Sequence, residues 1–91
     1  MDPIQVVAEP NRRRILQLVW ERELSASEIA GHFDSTFGAV SQHLAVLREA
    51  RFVTMRREGN RRLYQANRDA LEAMWRRTLQ SLAQTIEEDR G

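Results

Sequence analysis

A mainly helical fold with one small β-hairpin is predicted for this 91-residue chain by three observations. Apolar residues recur at spacings of three and four in separated stretches, the signature of helices with one buried face. Ser25 and Glu28 form a capping box, which marks a further helix start. Two short segments flank Gly59–Asn60, a two-residue hairpin turn with glycine where positive φ is required. The expected order is four helices, the hairpin and a last helix.

Each element has its own local cause. Ile4, Val7 and Ala8 predict a short first helix ending near Glu9. Pro10 suits the first turn of a second helix, where its missing N–H costs nothing. That helix is expected to reach about Arg22, with Ile15, Leu16, Val19 and Trp20 toward its buried side. The third helix starts at the capping box, with Leu24 and Ile29 in the staple positions, and closes at Phe33 and Asp34. Ser35 or Thr36 can cap the fourth, where Val40, Leu44 and Leu47 form one apolar stripe. Phe52 leads into the strand Val53–Thr54–Met55–Arg56–Arg57, and Arg61–Arg62–Leu63–Tyr64–Gln65 is its return. Asn67 caps a long last helix running to about Glu88.

Composition narrows the function. The length suits one domain with a modest core that a partner can complete. There is no cysteine, which excludes disulfides, thiolate metal sites and thiol redox sensing. The first residues lack a basic segment followed by an apolar run, so no signal peptide is expected. No apolar run approaches the roughly 20 residues of a membrane span, and the expected location is the cytoplasm. The net charge of +1 conceals an uneven distribution. Residues 10–65 carry ten arginines and six acids, whereas residues 66–91 carry four arginines and five acids. Positive charge is thus concentrated where a nucleic-acid footprint would lie.

Residues 25–30 and 36–44 form a helix pair that runs into the arginine-rich turn Arg56–Arg57–Glu58–Gly59–Asn60–Arg61–Arg62. Such a pair with a basic ribbon grips duplex DNA, one helix in the major groove and the ribbon along the backbone. The fourth helix carries no formal charge between Ser35 and Leu47. It offers small residues, Gly38, Ala39 and Ser41, that permit close approach. Gln42 can pair with adenine N6 and N7, Thr36 and Ser41 can contact a base or phosphate, and Ala39 can meet a thymine methyl. His43 lies beside the apolar stripe, packed or contacting phosphate. Affinity must come from elsewhere: Arg56, Arg57, Arg61 and Arg62 on the hairpin, Arg48, and the group Arg12, Arg13 and Arg14. With Gly59–Asn60 as the turn, Arg57 and Arg62 face each other across the strands. Like charges so placed are destabilising, and phosphates would relieve them.

Here the sequence resembles the ArsR/SmtB winged-helix transcriptional repressors. The resemblance is carried by Glu9–Pro10–Asn11–Arg12–Arg13–Arg14–Ile15–Leu16, Leu24–Ser25–Ala26–Ser27–Glu28–Ile29–Ala30, Ala39–Val40–Ser41–Gln42–His43–Leu44–Ala45–Val46–Leu47–Arg48–Glu49–Ala50, and Gly59–Asn60–Arg61–Arg62–Leu63–Tyr64. It implies a single winged helix-turn-helix domain over residues 1–91, with the helix-turn-helix at about 25–50, the wing at about 53–65 and a dimerisation helix at about 68–88. It also implies a homodimer packed through its first and last helices, Ile4 and Val7 included. The function implied is repression of a nearby operon at a double-stranded DNA operator. Some metal-sensing relatives carry a cysteine pair in the third helix, where Ser25 and Ser27 stand here. Others bind zinc through the last helix, which here has no histidine. Gly38 stands where a proline is common, which would loosen the start of the recognition helix. Arg51 stands where a helix-ending glycine is usual, implying strain of about 1 kcal/mol.

Other sharp readings are weaker. His32 and His43 sit eleven residues apart on different helices and form no recognisable ligand set, so no metal or cofactor is expected. Trp20, Trp75 and Met74 have the spacing of core or dimer packing. Phe37 either packs inward or touches thymine methyls. Ser41, His43 and Asp34 lack any nucleophile turn or oxyanion hole, so no enzyme is expected. Leu71, Trp75, Leu79, Leu82 and Ile86 make a ridge too long for a small monomer to bury, and predict a homodimer on an inverted repeat. The rival reading is a winged helix for protein interaction, with only non-specific DNA affinity.

Overall fold

The computed structural model describes residues 1–90. Its elements follow in chain order as α1 (Pro3–Ala8), α2 (Pro10–Leu18), β1 (Leu24–Ser25), α3 (Ala26–Ala30), α4 (Phe37–Glu49), β2 (Val53–Glu58), β3 (Arg61–Ala66) and α5 (Arg68–Arg90). The sheet is antiparallel in the order β1-β3-β2. Among the described residues, no helix is long and apolar enough to cross a membrane.

The starts are capped as their sequences require. Asp2 accepts from the Ile4 N–H, and the Glu9 carboxylate accepts from the Arg12 N–H. The reciprocal Ser25–Glu28 box opens α3, and the Thr36 hydroxyl accepts from the Ala39 N–H at 3.1 Å. That cap closes the turn in which Gly38 sits. The Asn67 carboxamide accepts from Ala70 N–H at 3.3 Å and donates to the Arg51 carbonyl at 3.0 Å. One side chain thus fixes where α5 leaves the sheet.

Three expectations are corrected. The second helix ends at Leu18 rather than near Arg22, because the chain must turn to bring Leu24 onto the sheet. Val19 caps it, and the Val19 carbonyl accepts from Ala66 N–H at 3.0 Å. The hairpin is also not alone. Leu24 pairs with Tyr64 and Ser25 with Leu63, adding a third, two-residue strand. The third helix is shorter than expected, ending at Ala30 ahead of Phe33 and Asp34.

The core lies between the helices and one face of the sheet. Ile15, Val19, Ile29, Val40, Leu44 and Leu47 are buried within it, so the apolar stripe of α4 faces inward. At its far end α4 stops in a Schellman motif: Phe52 N–H donates to the Leu47 carbonyl and Arg51 N–H to the Arg48 carbonyl. Arg51 adopts φ 65° there, the one described non-glycine residue at positive φ. Its side chain is exposed, so the site retains strain without compensating packing. Arg51→Gly is expected to stabilise the fold by about 0.5–1 kcal/mol, read as a raised urea midpoint with unchanged slope.

Only the first half of α5 belongs to this core. Leu71 and Met74 are buried, whereas Trp75, Leu79, Leu82 and Ile86 are 53 to 62 % exposed. At 1.5 Å per residue its 23 residues span roughly 35 Å, which explains overall extents of 57 × 24 × 20 Å.

Candidate nucleic-acid interface

The hairpin register places its arginines on two faces. Arg57 pairs with Arg62 and Met55 with Tyr64, while Arg56 pairs with Leu63 and Glu58 with Arg61. Opposed residues share a face, and faces alternate along each strand. Gly59 takes φ 60° and no described non-glycine residue but Arg51 is positive, so glycine supplies the turn at its first central position.

The two faces differ electrostatically. Arg56 donates to both oxygens of Glu23, at 2.8 and 3.0 Å, and pairs with Glu58 at 3.1 Å. Arg61 donates to Glu28 Oε1 at 2.7 Å, the same oxygen that accepts from Ser25 N–H at 3.0 Å. These contacts have titration consequences. The Arg56 hydrogen bond holds the Glu23 carboxyl below its ordinary range. The Ser25 N–H, its hydroxyl and then Arg61 do the same for Glu28. Arg57 and Arg62 form no ion pair among the described residues. Four wing arginines that the sequence treats alike are therefore divided: two are held by carboxylates and two are left open to an outside anion.

Arg62 also joins the wing to α4. It lines a recess of about 350 Å³ with Ser27, Phe37, Ser41, Asn60 and Tyr64. It lines a second, of about 390 Å³, with Ser41, Ala45 and Arg48. Thr36, Gly38, Ser41, Gln42 and Arg48 are all exposed, and Ala39 is half-buried. The outer face of α4 and the open face of the wing thus form one surface. Phe37 is 54 % exposed and packs outward.

Several sequence-predicted contacts lie elsewhere. His43 is half-buried and turned toward α1 and α2, with Nδ1 3.5 Å from Arg12 Nη1 and 3.8 Å from Glu9 Oε2. It is a packing residue, apart from the Gln42 face. Arg12 is consumed by the carbonyls of Val6, at 2.7 Å, and Gln5, at 3.2 Å, which close α1. Arg14 stacks over the Phe33 ring at 5.0 Å. Arg13 lines a groove of about 630 Å³ on the far side, with Ile4, Val7, Leu16, Trp20 and Trp75. Leu71 borders that groove but is 5 % exposed, so it serves the protomer core before any interface. Trp20 is half-buried rather than in the core. Arg68 stacks on its ring at 5.0 Å and donates to its carbonyl at 2.7 Å. Sequence reasoning missed the roles of Glu23 and Glu28, since nothing local announces that β1 will pair with β3.

A helix-turn-helix flanked by a basic wing is the architecture these residues build, and the comparisons agree with it. Residues 9–55 match the family model "Bacterial regulatory protein, arsR family". The chain belongs to the arsR family. The HTH-type transcriptional regulator Rv2034 of Mycobacterium tuberculosis is 37 % identical over 93 % of this chain and 86 % of its own length. The transcriptional repressor SdpR of Bacillus subtilis is 31 % identical over 75 % of this chain and 76 % of its own. A crystal structure of a "Possible transcriptional regulator for arsenical resistance" superposes with TM-score 0.80. It has 40 % identity and covers 90 % of this chain and 84 % of that one. This arsR-family protein is accordingly a winged helix-turn-helix transcriptional regulator, and the expectation of a mainly helical fold with a small sheet holds.

Proposed function

We propose that this arsR-family protein represses an operon by binding an inverted-repeat operator as a homodimer, without a metal sensor. The carrying observation is the Arg57–Arg62 pair. Two guanidinium groups opposed across a hairpin repel, and among the described residues no carboxylate answers them. A phosphate backbone supplies the missing charge. Beside them the outer face of α4 presents Gln42 among small residues, suited to reading base edges rather than holding phosphate.

The dimer reading is supported by the groove between α1, α2 and α5, which continues into the exposed ridge of Trp75, Leu79, Leu82 and Ile86. A two-fold axis there would set paired α4 helices about 34 Å apart, one turn of DNA. The metal-free reading rests on composition, with no cysteine and two histidines, one of them packed against Glu9 and Arg12.

Gel-shift with the chain's own upstream DNA tests the proposal. Sequence-selective retardation persisting at about 150 mM salt supports it; salt-labile binding without preference overturns it. Gln42→Ala is expected to relax preference at one base pair of each half-site by about 1–3 kcal/mol. The loss should vanish on operators already changed at that pair.

A further inference from the structure

The large apolar side chains exposed on this protein fall into two places. Among the described residues, apart from Met1, they are the α5 ridge and, at the start of α4, Phe37 alone. Phe37 is the first residue of α4, immediately after the Thr36 cap. Its ring borders the recess shared with Ser27, Ser41 and Arg62, so small and polar neighbours leave one side of it uncovered. Water gains nothing from such a ring, and neither does a phosphate oxygen.

N-terminal residues of a recognition helix are the ones that reach base edges in the major groove. A phenyl ring has no hydrogen-bonding group with which to read N7, O6 or an amino group. The base-edge feature it can read is the C5-methyl of thymine, an apolar group projecting into that groove. Arg57 and Arg62, open on the adjoining wing face, suit the flanking phosphates. From this placement we propose that Phe37 is a specificity-determining residue that packs on a thymine methyl in each operator half-site. The inference rests on the DNA-binding reading above and names a base feature that reading leaves undefined.

Deoxyuridine isolates the contact, because it removes the methyl and keeps every hydrogen-bonding group. Sites enriched by the full-length protein from a random duplex library would be resynthesised with single thymines replaced by deoxyuridine. The expected result is one position per half-site at which the replacement weakens binding about 4-fold, the worth of one buried methyl. Phe37→Ala should bind thymine and deoxyuridine operators equally, with the wild-type salt dependence intact. Phe37→Leu should restore part of the difference. Insensitivity of the wild type at every thymine overturns the proposal, as does sensitivity that survives in Phe37→Ala, which would assign the methyl to Ala39. Failure of the wild type to enrich any sequence is a different result and overturns the DNA-binding reading itself.

Discussion

Replacing Leu79 and Leu82 together by glutamate is expected to leave a folded monomer at micromolar concentration and to lower operator affinity by about 100-fold or more. Both side chains are more than half exposed on the protomer, so their loss removes little from its own core. In a two-fold interface each is buried twice, and each apolar side chain so buried is worth about 1.5–3 kcal/mol. The glutamates would instead place four carboxylates in an apolar contact, where desolvation is costly. A monomer offers one α4 and one wing to the operator and forfeits the tethering of the second half-site. Sedimentation velocity reads the first effect, gel-shift the second, and circular dichroism checks that the helices remain. A dimer that persists would move the interface away from α5. Leu71 would be a poor probe of the same question, since truncating it opens the protomer core.

Removing Arg57 and Arg62 together is expected to weaken binding to all sequences by about 10- to 100-fold at 150 mM salt. The slope of log affinity against log salt should flatten by roughly 1 unit per lost phosphate contact. The physical signature lies in the contrast with stability. Among the described residues the two guanidinium groups oppose each other without a carboxylate, so their loss should leave the free protein unchanged or stabler by about 0.2–1 kcal/mol. Arg56→Ala with Arg61→Ala should show the reverse balance. These two are already paired with Glu23, Glu58 and Glu28, and their removal frees those carboxylates on the sheet's other face. A salt titration of gel-shift affinity, with urea unfolding in parallel, separates the pairs. Equal loss of affinity from both pairs would show that the ion pairs open when DNA binds.

Much of this division was legible in the chain. The capping box, the Asn67 cap and the stripe of Val40, Leu44 and Leu47 depend on residues within a turn or two of each other. Local spacing therefore sufficed to place them. The hairpin register followed from Gly59–Asn60, because a two-residue turn leaves one pairing of its strands. That is why the Arg57–Arg62 opposition is already written in the sequence. The third strand could not. Two residues carry no periodicity, and Leu24 and Ser25 become a strand only because β3 arrives beside them.

What the sequence by itself determined is the order of the helices and the hairpin, the uncharged stretch of α4 from Phe37 to Leu47 and the facing arginine pair. These are consequences of side-chain periodicity and turn chemistry within short spans. Tertiary structure alone decided which arginines are free, because β1 brings Glu23 and Glu28 to the wing from residues about 33 positions away. It likewise turned His43 and Arg12 inward to each other and left Phe37 outward. Both outcomes depend on which neighbour reaches a side chain first, and that is set by packing between distant segments.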